Sequence, residues 1–155
     1  MNIHDIETID CSSRCVAKRA LINAPAHSLF EMIANPHRHH EFDGSGTVQP
    51  TVIGPRELHL GDRFTVAMRL GPIRYKITSI ATEITTDRVI EWRHPGGHHW
   101  RYDLDSVDST TTLLTETFRY DSTHLPAFYE LLRIPQRNSR SIHHTLATIQ
   151  SMHNN

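Results

Sequence analysis

At 155 residues, with 37% hydrophobic and 21% charged side chains, the chain has the size and composition of one folded domain rather than of a disordered segment. Its 16 basic and 17 acidic side chains leave a formal net charge of −1, which argues against a polyanionic partner such as nucleic acid. The 13 histidines make that charge sensitive to pH between about 5 and 7.5.

Residues 1–12 are polar and read as a loose tail at the start of a single domain spanning 1–155. They have neither the basic start nor the apolar run of a secretory signal. No stretch of the chain reaches the ~18 apolar residues of a membrane span. These features predict a cytoplasmic protein with no integral membrane segment. Cys11 and Cys15 are four apart. In an extended segment they would lie ~13 Å apart, beyond disulfide reach, so reduced thiols are expected.

Residues 14–23 alternate imperfectly and read as a strand. Pro25 suits a first helical turn, Leu29, Phe30 and Ile33 recur at helical spacing, and Asn35-Pro36 stops that helix. A short second helix is expected over 36–42. From residue 47 the period becomes two. Residues 47–54 form a weak strand in which Pro50 fits best at an edge or bulge. Residues 61–71 put Phe64, Val66, Met68 and Leu70 on one face, and Gly71-Pro72 marks a turn. Residues 73–85 begin with Ile73, Tyr75 and Ile77 in phase, whereas Ile80 and Ile84 fall out of phase. A bulge near Thr78-Ser79 would explain that change. Strands follow over 88–94, 98–107 (His98, Trp100, Tyr102 and Leu104 on one face) and 110–121 (Leu114, Glu116, Phe118 and Tyr120 on one face). The end is helical from about Pro126, with Pro135 expected to kink or break it. Short turns between consecutive strands imply an antiparallel sheet, curled around the last helix.

With this order of elements, "INAPAHSLFEMIANPHRHHEFDGSG" (22–46), "GDRF" (61–64), "RVIEWRH" (88–94), "HHWRYDLDSVD" (98–108) and "TETFRYD" (115–121) carry a resemblance. The chain resembles the SRPBCC, or START-like, helix-grip superfamily, and within it the bacterial polyketide cyclase/dehydrase-like proteins. The resemblance covers about residues 14–150. It implies an α+β helix-grip fold: a curled antiparallel sheet of about seven strands around a long C-terminal helix, with two short helices after the first strand. It also implies a deep, mostly apolar cavity between sheet and helix, its mouth bordered by the loop after the second short helix. It supplies no catalytic motif.

Glu116 shares parity with apolar neighbours, so a carboxylate points inward. An inward carboxylate needs a partner or a task. It serves either as ligand anchor or general base, or as a structural pair with Tyr102, His98 or Arg93. The aromatic set Phe64, Tyr75, Trp92, Trp100, Tyr102, Phe118 and Phe128 suits cavity walls. In the His-rich stretch 37–40, His37 and His40 share a helical face. Their spacing calls for no metal site, and neither HExxH nor CxxC occurs. His40 and His98 are the histidines expected at the cavity mouth, with Phe42 and Asp43 as the lip. Gly44 and Gly46 either make that lip a mobile gate or form a plain connection. Arg133, Arg137 and Arg140 share a helical face that reads as solvated.

The expected function is binding of a small hydrophobic or aromatic, lipid- or polyketide-like ligand in an internal cavity, with no cofactor. The alternatives are a cyclase/dehydratase-type enzyme using an inward carboxylate or His, and a protein-partner-binding module. A homodimer is compatible with all three.

Overall fold

A computed structural model describes residues 1–154. In chain order its elements are β1 (Ile6–Ile9), β2 (Cys15–Ile22), α1 (Ala26–Ile33), a 3-10 helix (Pro36–Glu41), β3 (Val48–Ile53), β4 (Arg63–Leu70), β5 (Ile73–Thr85), β6 (Val89–Arg93), β7 (His99–Ser106), β8 (Thr112–Arg119), α2 (Pro126–Leu131) and α3 (Ile134–Met152). The strands form one antiparallel sheet in the order β1-β2-β8-β7-β6-β5-β4-β3. The sheet has eight strands, against the seven or so expected.

The extra strand comes from the segment expected to be loose. Ile6–Ile9 pair with Ala17–Ala20 at the sheet edge. Gln150 on α3 reinforces them, its Nε2 donating to the Ile3 carbonyl at 2.7 Å and the Leu21 carbonyl at 3.3 Å. The cysteine expectation is corrected as well: Cys11 and Cys15 form a disulfide. The connection between β1 and β2 is a turn, with Arg14 at φ +59°, which brings the two Cα atoms to 5.9 Å. That distance is well within disulfide range.

Ile142, Leu146 and Ile149 recur every turn of α3 and are fully buried against β2 and β8. Burial of each contributes about 1.5–3 kcal/mol. Pro135 lies in the first turn of α3, where its missing N–H costs no hydrogen bond. The break comes two residues earlier, at Arg133, which is left-handed (φ +57°) and makes α2 and α3 two helices. Pro50 lies on β3, the other sheet edge, at a register shift between Val48 and Val52. The phase change in β5 lies at Thr82, between the pairs Ala81↔Trp92 and Glu83↔Glu91, and not at Thr78-Ser79. The outer face of the sheet is polar, and there Arg101 bonds Asp103, Glu91 and Glu83.

Candidate functional site

Between the inner face of the sheet and α3 lies a cavity of ≈ 600 Å³. That volume is within the range of small-molecule sites. Phe64, Tyr75, Trp92, Trp100 and Tyr102 line it from β4–β7, and Phe42, Asp43, His98 and Glu116 complete the predicted set that reaches it. Three predicted residues do not. His40 is exposed; with three residues per turn, the 3-10 helix turns His39 inward instead. Phe118 faces inward but is sealed in the core, its ring 5.0 Å from Trp100 and 5.6 Å from Tyr120. Phe128 is 51% exposed on α2, a helix with no buried residue.

The deep wall is set by strand register. Tyr102 stands opposite Glu116, and Trp92 opposite Trp100. The Tyr102 hydroxyl donates to Glu116 Oε1 at 2.8 Å. Glu116 is 4% exposed, and its Oε2 has no hydrogen-bond partner. Burial pushes its carboxyl well above the ordinary range; the Tyr102 hydrogen bond opposes this and the nearby charge of Asp43 reinforces it. Burial likewise raises the Asp43 carboxyl, although Ser45 donates to Asp43 Oδ2 from its N–H at 3.0 Å and from its hydroxyl. The deep end therefore favours the neutral acid over the carboxylate, and one of its oxygens is unsatisfied.

Two histidines in the wall are neutral too. Burial lowers His39 to about 4; its Nε2–H donates to the Ile33 carbonyl at 2.8 Å, and its ring stacks on Trp92 at 4.9 Å. Burial and its neighbours His94 and His99 lower His98 to about 3. The His98 Nδ1 lies 3.0 Å from the Tyr129 hydroxyl, and its ring stacks on His94 at 4.1 Å. His37 has a structural task, its Nε2 bonding the Gly54 carbonyl at 2.9 Å. Among the described residues no cluster of three or more His, Cys, Asp or Glu side chains could hold a metal.

The lip is pinned rather than loose. The Gly44 N–H donates to Thr145 Oγ1 at 2.8 Å. A Cβ on Gly44 would sit 2.4 Å from the Ser141 carbonyl oxygen and 2.6 Å from the Thr145 nitrogen, so the glycine permits close approach to α3.

The wall from α3 was missed in the sequence. Ile134, Asn138, Ser141 and Thr145 line the cavity, as does Arg137, one of the arginines read as solvated. The first four are spaced by four, three and four, a stripe beside the apolar one, and that periodicity was the available signal.

No family model matches the chain. It is 35% identical over 152 residues to the uncharacterised protein Rv0088 of Mycobacterium tuberculosis, an alignment covering 96% of this chain and 68% of that protein. Among solved structures it is similar to a Rhodobacter sphaeroides protein, with a TM-score of 0.74 at 12% identity, covering 96% of this chain and 97% of the other. It is also similar to the di-domain ARO/CYC BexL of the BE-7585A biosynthetic pathway, with a TM-score of 0.67 at 16% identity, covering 89% of this chain and 45% of that one. Such identities bear on the fold alone.

Proposed function

The chain belongs to the family of Rv0088 and carries the helix-grip fold of the SRPBCC, START-like superfamily, and from that premise we propose that it binds a small, mostly apolar or aromatic molecule in the cavity. The ligand places an oxygen acceptor against Glu116. The observation that carries this reading is the buried, unpartnered Glu116 Oε2 in an aromatic-walled space of ≈ 600 Å³. Protonated, that oxygen donates; Tyr102, bonded to Oε1, holds the carboxyl in place. Burial of apolar ligand area supplies most of the affinity, at ~25 cal/mol per Å². The partner-module alternative calls for a filled core, and the cavity weighs against it.

A matched series tests this through quenching of Trp92 and Trp100: 2-acetylnaphthalene, 2-ethylnaphthalene and 1-(2-naphthyl)ethylamine. The ketone is expected to bind about tenfold tighter than the hydrocarbon, the worth of one satisfied buried donor. That preference should persist in Glu116→Gln and vanish in Glu116→Leu. If none of the three binds saturably, and native mass spectrometry of the purified protein finds no retained small molecule, the ligand-binding reading is overturned. Ketone and hydrocarbon binding equally would overturn the role given to Glu116, and so would the amine binding tightest.

One observation favours a catalytic second reading. A neutral carboxyl beside a tyrosine suits hydrogen-bond donation to a carbonyl oxygen that gains negative charge in a transition state, as a cyclase or dehydratase requires. On this reading Glu116 acts as an acid rather than the general base expected from sequence. Turnover lost in Glu116→Leu with substrate still bound would support it; recovery of every ligand unchanged would refute it.

A further inference from the structure

The net charge of −1 conceals a segregation. Residues 63–82, the β4–β5 hairpin short of Glu83 near its far end, and residues 131–154, which contain α3, together hold Arg63, Arg69, Arg74, Lys76, Arg133, Arg137 and Arg140, and no acidic residue; the adjoining Glu83 and Glu130 are paired with Arg101 and Arg14. The rest of the chain keeps nine basic and all 17 acidic side chains, a net −8 against +7. Among the described residues none of the seven makes a salt bridge.

These two segments border the cavity mouth. Leu70 and Tyr75 on the hairpin and Arg137 on α3 are both exposed and cavity-lining, so the opening lies between them. The same region concentrates exposed apolar surface. Of the 12 large hydrophobic residues exposed among the described residues, seven lie on the hairpin tip or on and beside α2: Leu70, Ile73, Tyr75, Leu125, Phe128, Leu131 and Leu132. α2 packs beside α3 and contributes Tyr129 to the cavity. Scattered exposed apolar residues need no explanation, but a cluster at a cavity mouth does. On the outer side of the hairpin, Arg69, Arg74 and Lys76 border a shallow groove.

We propose that this rim docks on an anionic lipid bilayer, with the apolar residues of the hairpin tip and α2 entering the interface and the surrounding arginines and lysine meeting anionic headgroups. The pairing of an apolar tip with cations that lack acidic partners favours a bilayer. A soluble acidic protein would match the charge but leave Ile73 (60% exposed) and Leu131 (77% exposed) without an apolar partner. Docking is independent of which ligand the cavity holds: vesicle binding can fail while the naphthalene probes still bind, and the reverse.

The test is co-sedimentation of the full chain with vesicles of equal parts phosphatidylglycerol and phosphatidylcholine, and with phosphatidylcholine alone. Sedimentation is expected with the anionic vesicles only, and added salt should weaken it. The triple variant Arg74→Gln/Lys76→Gln/Arg140→Gln should lower the partition coefficient roughly 100-fold, since each cation near an anionic surface is worth roughly fivefold. Ile73→Ser/Leu131→Ser keeps every charge and should lower it by roughly tenfold or more. All five positions are exposed and outside the cavity lining, and circular dichroism with thermal melting confirms that each variant is folded. Equal partition onto both vesicle types overturns the proposal, as does full retention by either variant. Retention on immobilised poly-L-glutamate without vesicle sedimentation overturns it in favour of an acidic polypeptide.

Discussion

Replacing Glu116 by Gln should stabilise the protein, and by more as pH rises. The buried carboxyl is raised well above its ordinary value of 4.5, so above that pH the folded chain holds one more proton than the unfolded chain. Stability contributed by this group is therefore lost as pH rises, at about 1.4 kcal/mol per pH unit while the folded-state carboxyl stays protonated. The cost to the native protein grows at that slope for each pH unit above 4.5 until the folded-state carboxyl itself ionises. Glutamine keeps the shape and still accepts from Tyr102, but does not titrate. Its second amide N–H adds one buried donor, at about 1 kcal/mol. Glutamine is therefore net stabilising from about one pH unit above 4.5, and each further unit over which the folded carboxyl stays protonated adds about 1.4 kcal/mol, or ~3–6 °C in melting temperature for a chain of this length. Urea or thermal melts of both proteins between about pH 5 and 8 check this. A difference between them that does not change with pH would refute the claim that the buried carboxyl is neutral.

Gly44→Ala should cost about 2–3 kcal/mol, because its Cβ would meet backbone atoms of Ser141 and Thr145 that cannot swing aside; melting within a degree of the parent would refute the pinned lip. Thr145→Val removes the Gly44 N–H acceptor without the clash and should cost about 1 kcal/mol, read by the same melt. Reduction of Cys11–Cys15, or Cys11→Ser/Cys15→Ser, should cost about 2 kcal/mol, the chain-entropy value for so short a loop. The oxidised protein melting no higher than the reduced one would count against that bond. Leu146→Ala should cost about 2–5 kcal/mol, since the side chain is fully buried under α3.

What was legible in the sequence followed the two-residue period. Alternation alone put Trp100, Tyr102 and Glu116 on one inner face, and register then chose Tyr102 among the three partners considered for Glu116. The failures have specific physical causes. An α-helical reading of residues 36–42 grouped His37 with His40. In a 3-10 helix that grouping stands, but it leaves His39 on the opposite side, where the cavity is. In β5 the inward residues are small, Ser79 and Ala81, while Ile80 points away from them; a reading by hydrophobicity therefore placed the phase change three residues early. β1 has no local signal, because its strand conformation depends on pairing with β2 and on Gln150, more than a hundred residues away. The disulfide depends on one left-handed residue, Arg14, at a position where a non-glycine gives no warning.

The neutral groups of the cavity wall act on stability from opposite sides of pH. His39 and His98 are lowered from 6.5 to about 4 and about 3. Between those values and 6.5 the folded chain binds fewer protons than the unfolded chain, so the stability they contribute rises with pH up to 6.5 and is flat above it. Burial lowers His94 and His99 as well, adding to the same trend, while Asp43, raised, opposes it at the acid end. From about 4.5 to 6.5 the buried His39 and the half-buried His98 contribute up to about 1.4 kcal/mol per pH unit each against one such slope from Glu116, leaving a net rise. Above 6.5 the histidine gain is complete, while Glu116 and the exposed His27, which its Asp87 and Glu31 contacts raise, both hold more protons in the folded chain, so stability falls. The maximum is therefore expected near pH 6.5, with the cavity-wall histidines setting its acid side. Denaturant melts at successive pH values test this. His39→Gln should flatten the acid side, and Glu116→Gln the alkaline side. Stability that climbs steadily through pH 8 would show that Glu116 ionises in the folded protein, and the donor role assigned to it would fall with that result.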